Sequence, residues 1–227
     1  MEKVKSFPGF QRIPRHIGII PDGNRRWAER NGYPKEAGYA YGIDPGFELY
    51  RHCLEIGVKE MTFYGFTQDN TKRPLAQRLA FQRACVEAVM KLANHDADLL
   101  VVGNTDSPMF PKDLLPFTKR VKFGKGLMRI NFLVNYSWQW DIGKALQQVQ
   151  KGMPLKNALV KHLGSAEISR IDLLIRWGNR RRLSGFLPVQ TVYADFYVVE
   201  ELWPDYEAEH LFQALRWYEE QDITLGG

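Results

Sequence analysis

The sequence predicts an α/β fold, a single domain with a central, mainly parallel sheet of about six strands flanked by helices. Two observations predict it. Short runs that are apolar at nearly every position recur along the chain, and longer stretches with apolar residues at helical spacing separate them. Strands without a polar face belong in a parallel sheet covered on both sides, whereas an antiparallel sheet with one wet face alternates. A third observation sets the domain count: no internal repeat, low-complexity segment or Gly/Ser linker interrupts the 227 residues. That length is within reach of one compact domain. The domain is placed at residues 1–227, with 1–14 as a loose or helical N-terminal arm.

The elements follow in order. His16-Ile17-Gly18-Ile19-Ile20 reads as a buried strand, stopped by Pro21-Asp22-Gly23. Asn24 to Asn31 and Asp44 to Ile56 read as helices, with the strand Met61-Thr62-Phe63-Tyr64-Gly65-Phe66 and a polar loop after them. Leu75 to Asn94 carries Leu79, Ala80, Ala84, Val86, Val89 and Met90 at helical spacing. Leu99 to Gly103, Arg129 to Asn135, Ile171 to Arg176 and Phe196 to Val199 supply four more strands, and Glu207 to Gln221 a last helix. Ligands of such sheets collect beyond the carboxyl ends of the strands. Asp22, Asn70, Asn135 and Arg176 all fall there.

Composition bounds the class. With 44% hydrophobic and 25% charged residues, a core forms without disulfide or metal staples. Cys53 and Cys85 lie in helical stretches without paired spacing, so a reducing cytoplasm is expected. No apolar run is long enough to cross a bilayer, and Met1 to Arg15 lacks the apolar centre of a signal peptide. Peripheral contact with a membrane stays open. The net charge of +5 suits an anionic partner such as a diphosphate, a nucleic acid or a lipid surface without selecting one.

Three segments carry chemistry. Pro21-Asp22-Gly23-Asn24-Arg25-Arg26-Trp27 lies at a strand-to-helix turn, where Gly23 admits a ligand close to backbone and free N–H groups face phosphate oxygens. Arg25 and Arg26 add charged donors, and Asp22 is a hard oxygen ligand suited to Mg²⁺. A tight turn with an Asx cap explains Asp22-Gly23-Asn24 equally well. Phe66-Thr67-Gln68-Asp69-Asn70-Thr71-Lys72-Arg73-Pro74 is first of all a solvated loop leading to a helix start, and second a lining for the same rim. Arg176-Trp177-Gly178-Asn179-Arg180-Arg181-Arg182-Leu183-Ser184-Gly185-Phe186 follows a buried strand. Its interspersed glycines favour a preorganised anion pocket over a solvated charged face, because arginine forks bind phosphate bidentately.

Together these segments resemble the cis-prenyltransferases, the family of undecaprenyl diphosphate synthase. The resemblance runs in order through His16 to Ala28, Tyr64-Gly65-Phe66 with Asn70 and Arg73-Pro74, Asn135-Tyr136 with Trp140-Asp141-Ile142, and Asp172 to Arg176. It continues through Ser184 to Leu187, Gln190, Tyr193 to Tyr197, and Leu202-Trp203-Pro204-Asp205. It implies an Mg²⁺-dependent homodimeric enzyme with a hydrophobic tunnel, condensing an allylic prenyl diphosphate with isopentenyl diphosphate. Asp22 would hold Mg²⁺ and act with Asn70 in catalysis, and Asp195 matches a second metal-binding position. Gly23, Asn24, Arg25, Arg26 and Arg73 would grip the allylic diphosphate, with Arg176, Arg182 and Ser184 on the attacking unit. Trp27, Lys35, Tyr39, Thr67, Gln68, Asp69, Thr71, Arg180 and Leu183 complete the substrate-binding set. Leu79, Ala80, Ala84, Val89, Leu133 and Val134 are tunnel candidates, each explained as well by core packing.

The departures from the family pattern gather at the attacking-unit site. Trp177-Gly178-Asn179-Arg180 stands for Thr-Gly-Gly-Glu, Ser137-Trp138-Gln139 for Gly-Gly-Arg, and Thr224-Leu225-Gly226 for Arg-x-Gly. Lys35, Tyr39 and Thr71 replace arginine, histidine and tryptophan on the allylic side. Bulk from Trp138 and Trp177 points to an unusual second substrate, for instance a second allylic diphosphate such as dimethylallyl diphosphate in an irregular condensation. Two other readings compete: a non-catalytic partner subunit, and a nucleic-acid module using Arg180-Arg181-Arg182 and Lys119-Arg120-Val121-Lys122. No recognition helix or RNA-binding signature supports the last, and no nucleic acid is expected as a partner.

Overall fold

A computed structural model describes residues 9–148 and 160–222. Thr224-Leu225-Gly226 and residues 1–8 of the N-terminal arm lie outside them. The strands are β1 His16–Ile20, β2 Glu60–Tyr64, β3 Ala97–Val102, β4 Val121–Lys122, β5 Met128–Leu133, β6 Leu173–Arg176 and β7 Asp195–Val198. The helices are α1 Asn24–Arg30, α2 Gly38–Tyr41, α3 Ile43–Ile56, α4 Leu75–Leu92, α5 Trp138–Gln147 and α6 Ala208–Glu219.

One sheet has the order β4-β3-β5-β2-β1-β6-β7. Every pairing is parallel except that of β3 with β4. The two-residue β4 is the strand the apolar pattern does not announce. Side chains alternate between two apolar layers, as strand geometry requires. Ile17, Ile19, Met61, Phe63, Leu99, Val101, Ile130 and Phe132 face the layer shared with α3, α4 and α6. Ile20, Tyr64, Leu100, Val102, Leu133 and Leu174 face the other, with Tyr136, Phe186 and Leu187.

At the amino ends of β1, β2 and β5 the second layer is polar. His16 Nε2 lies 2.8 Å from Thr62 Oγ1, and Asn131 Nδ2 donates to Glu60 Oε1 at 2.8 Å. Arg120 donates to Asn131 Oδ1 at 2.8 Å and to the Asp98 carbonyl at 3.0 Å. It is therefore drawn into this network, and the expected basic strip around it is broken.

Residues 9–14 form no helix and are not loose. Phe10 packs on Phe212 with ring centroids 6.2 Å apart, and the Arg12 guanidinium stacks 4.0 Å over Tyr218. Among the described residues no helix is long and apolar enough to cross a membrane.

Candidate active site

The chain runs β1 to β2 toward one side of the sheet and β6 to β7 toward the other, so β1 and β6 flank the point where direction reverses. Crevices for ligands open at such points. Ile20 pairs with Arg176 there, and each strand ends in a turn. After β1 the turn needs Gly23, whose φ of 114° is strained for other residues and whose Cβ would come within 2.9 Å of Leu202. After β6, five residues between 178 and 187 have positive φ: Gly178, Asn179, Ser184, Gly185 and Leu187. These left-handed steps fold the segment back over the strand ends. For a non-glycine residue each costs about 1–2 kcal/mol, sustained only by surrounding packing.

Arg176 organises the centre. It is 4% exposed, and its Nη2 donates to Asp22 Oδ2 at 2.8 Å. Its Nη1 donates to Ser184 Oγ at 2.9 Å and to the Arg182 carbonyl. Its Nε is buried without a partner. Arg26 Nη2 lies 3.5 Å from Asp22 Oδ1 and donates to the Gly178 carbonyl at 2.8 Å. The Asp22 carboxylate is thus clasped between two arginines while its side chain stays 32% exposed to the cleft. Because α1 has only seven residues, these guanidinium groups outweigh any helix dipole as anion donors.

Around this centre lies a cleft of about 710 Å³. Seven basic side chains (Arg25, Arg26, Lys35, Arg73, Arg176, Arg180, Arg182) line it against three acidic ones (Asp22, Glu29, Asp69). Arg25 donates to Gln77 Oε1 at 3.2 Å, and Arg73 to the Tyr39 hydroxyl at 2.7 Å. Burial lowers the Arg73 pKa against the pull of Tyr39, yet a guanidinium stays charged at neutral pH. Burial also raises the Tyr39 pKa, so its hydroxyl stays protonated. Residues 66–74 are not a loose solvated loop. Gln68–Lys72 is a 3₁₀ turn in which the Thr67 N–H donates to Asn70 Oδ1 at 3.0 Å.

Gly23, Asn24, Lys35, Tyr39, Thr67, Asn70 and Ser184 also line the cleft, as the sequence predicts. Other predicted residues do not. Trp27 turns away, donating to Asp205 at 2.6 Å and packing on Tyr41 at 4.5 Å. Gln68 and Thr71 brace the turn: the Ser137 hydroxyl donates to Gln68 Oε1 at 2.9 Å, and the Thr71 hydroxyl to the Gln68 carbonyl at 2.6 Å. Leu183 is an exposed loop residue beside the cleft. Asp195 pairs with Leu173, level with Ile17, at the amino end of β7. This chain does not bring it to one site with Asp22. Trp177 is fully buried, packed edge-on against Trp203 with centroids 4.9 Å apart, and adds no bulk to the cleft.

Glu29 and Phe81 line the cleft although the sequence singles out neither, and Tyr64, Tyr136, Ser137 and Gln139 line it although they entered only as matches to or departures from the family pattern. Tyr64 carried a signal, as a residue near the carboxyl end of the predicted strand Met61 to Phe66. Its hydroxyl donates to the Ser184 carbonyl at 2.8 Å, tying β2 to the arginine loop.

An apolar channel of about 80 Å³ opens off the cleft between α3, α4 and the sheet. Pro21, Asn24, Tyr39, Tyr64, Gly65 and Phe81 border both spaces. Of the tunnel candidates only Ala84 lines the channel. Leu79 is 43% exposed, and Val89, Leu133 and Val134 are core residues.

A basic cleft continuous with an apolar channel, at the carboxyl edge of a parallel sheet, defines an α/β protein built for amphiphiles with a polyanionic head. Comparison with known proteins names the family. The family model for undecaprenyl diphosphate synthase matches residues 20–226. The isoprenyl transferase of Streptococcus thermophilus is 31% identical over 96% of this chain and 95% of its own. The (2E,6E)-farnesyl-diphosphate-specific ditrans,polycis-undecaprenyl-diphosphate synthase of Vibrio vulnificus is 28% identical over 95% and 92%. Lavandulyl diphosphate synthase from Lavandula x intermedia, solved with dimethylallyl diphosphate, shares the fold with a TM-score of 0.82 at 22% identity, over 94% of this chain and 98% of that one. The chain belongs to the undecaprenyl diphosphate synthase family, the cis-prenyltransferases, which are prenyl diphosphate synthases.

Proposed function

We propose that this chain transfers an allylic prenyl group to a second prenyl diphosphate, expelling inorganic diphosphate beside Asp22. The observation that carries this is the continuity of the arginine-lined cleft with the apolar channel, which matches a substrate with a diphosphate head and a hydrocarbon tail. Gly23, Asn24, Arg25, Arg26 and Arg73 hold the allylic diphosphate, and Arg176, Arg180, Arg182 and Ser184 that of the acceptor. As the allylic C–O bond breaks, its electron pair leaves on the diphosphate, and fixed guanidinium donors stabilise the growing charge. The acceptor's double bond supplies electrons for the new C–C bond, and the cationic adduct then loses a proton to an oxygen of the departing diphosphate, which leaves as hydrogen diphosphate. Walls of Phe63, Phe81 and Phe132 keep water from the cationic carbon. Asn70, its Oδ1 occupied by Thr67, positions substrate through its amide Nδ2 and is not itself a base.

The residues present fit Mg²⁺. No group of three or more His, Cys, Asp or Glu gathers among the described residues, so Asp22 stands as a single carboxylate ligand. Mg²⁺ is commonly held by one or two carboxylates together with substrate phosphates. Bound there, the ion supplies charge neutralisation for the leaving diphosphate. The working unit is a homodimer on this reading.

Trp138 favours a second allylic diphosphate over isopentenyl diphosphate as acceptor. Its indole Cδ1 lies 2.8 Å from where a Cβ on Gly185 would sit, beside Ser184 on the acceptor's wall. Purified protein is incubated with Mg²⁺ and dimethylallyl diphosphate, with and without isopentenyl diphosphate, and the products are identified by mass spectrometry and NMR. A ten-carbon product from dimethylallyl diphosphate alone supports the irregular condensation. Efficient regular elongation to a long cis-polyprenyl chain overturns it. No turnover with any pair would remove the catalytic reading altogether.

A further inference from the structure

The channel's far end is closed by a charged side chain, an unusual stopper for an apolar space. The channel follows one face of α4 from Phe81 at the cleft, past Ala88, to Lys91. The Lys91 ammonium lies 4.7 Å over the Phe47 ring and pairs with Asp44 on α3. The Lys91 side chain is 35% exposed and that of Asp44 84%. The pair therefore sits where the gap between α3 and α4 reaches solvent, with the lysine stem on the apolar side and its charge in water.

Two magnitudes bound what fits. Ten helical residues from Phe81 to Lys91 span about 15 Å. A prenyl unit, four backbone carbon–carbon bonds of about 1.5 Å each, extends roughly 5 Å, so length admits at most about three units. One water-sized group needs about 10–15 Å³ of such space. The 80 Å³ present therefore hold five to eight groups by that measure, about one five-carbon unit and part of the next. Lengthening the space needs displacement of the aromatic lining or of Lys91.

We propose that the channel takes prenyl tails of one to three isoprene units, and that Lys91, held over Phe47 by Asp44, is the residue that ends it. This deepens the proposed function and rests on it: the protein becomes a maker and user of short prenyl diphosphates. Gly46 offers a way to test the space from inside. A Cβ there meets Trp203 at 3.7 Å and Phe63 at 3.8 Å, ordinary contacts, and leucine is a better helix former than glycine. Gly46→Leu is therefore expected to fold with the channel partly filled.

The experiment titrates the protein calorimetrically, with Mg²⁺, against unreactive allylic thiolodiphosphates of one, two, three and four units. Affinity is expected to rise several-fold from the first unit to the second, by less for the third, which must displace lining side chains, and then to stay level. Lys91→Ala should restore a several-fold gain for the fourth unit and lengthen products by one unit or more. Gly46→Leu should abolish the gain from the second and third units. A wild-type affinity that keeps rising past three units, long polyprenyl products from the wild type, or a Lys91→Ala profile superimposable on the wild type each overturns the proposal. If even the one-unit probe fails to bind or to compete with inorganic diphosphate, the functional reading beneath it falls instead, and the proposal with it.

Discussion

Replacing Asp22 by Asn should change the sign of its effect on diphosphate binding when Mg²⁺ is removed. The carboxylate already occupies the donors an incoming anion needs, 2.8 Å from Arg176 and 3.5 Å from Arg26. Without a divalent ion, carboxylate and diphosphate compete for the same guanidinium groups and repel each other. At a separation of about 6 Å and an effective dielectric of roughly 20–40, one pair of unit charges costs about 1–3 kcal/mol. At about 1.4 kcal/mol per factor of ten, that is about ten- to a hundredfold in affinity. The Asp22→Asn variant should therefore bind inorganic diphosphate about ten- to a hundredfold more tightly than the wild type in EDTA. With Mg²⁺ the order should reverse, and turnover should fall by at least about 10²-fold. The fold should weaken by only about 1–3 kcal/mol, because the pair is open to solvent on the Asp22 side. Calorimetric titration in the two buffers reads both signs. A variant that loses affinity by one common factor with and without Mg²⁺ would refute the reasoning.

Three further outcomes are expected. Gly178→Ala puts a Cβ 2.4 Å from Arg26 Nη2 and 2.9 Å from the Asp22 carbonyl at a φ of +83°. It should cost about 1–3 kcal/mol in stability and loosen diphosphate binding; equal urea midpoints and equal affinities would contradict it. Burial holds the His16 imidazole below its ordinary pKa of 6.5, against the raising pull of Glu60 and Asp172. The unfolded chain then binds the proton first, so stability is full above about pH 6.5 and declines as pH falls below it toward the lowered folded value. Urea melts from pH 8 to 5 should show that slope in the wild type and a flatter one in His16→Gln; parallel slopes would exclude His16 as the source. Burial pushes the Cys85 thiol up to about 12 and raises Cys53 as well, so a thiol reagent at pH 8 should find both only in denaturant. Reaction of native protein at the rate of a free thiol would show that Cys85 is accessible and ionised.

The parallel sheet was legible in the sequence because its strands carry their own signature. Runs such as Ile17 to Ile20 and Leu99 to Val102 are apolar at successive positions, and only a strand covered on both faces uses that pattern. The strand ends were legible too, which placed Asp22 and Arg176 beside the crevice before their distance was known. The paired strand β4 was not, since Val121 and Lys122 become a strand only through Asp98 and Leu99 on β3. The short arm 9–14 gains its order from Phe212 and Tyr218, some two hundred residues away.

Within the site, residue type and order in the chain sufficed to name much of the cleft's polar lining: clustered arginines, the Asp22 carboxylate, and glycines at the turns. Direction was decided elsewhere. Trp177 and Trp138 both lie past the carboxyl ends of strands, yet one is sealed against Trp203 and the other stands beside Gly185 over the cleft. Asp195 lies on the strand next to that of Arg176, but at the opposite end and on the other face of the sheet. Periodicity along one chain reports whether a side chain is buried, and it contains no term for which distant element it is buried against. That choice, and with it the length and closure of the channel at Lys91, is made only when α3, α4 and the sheet pack together.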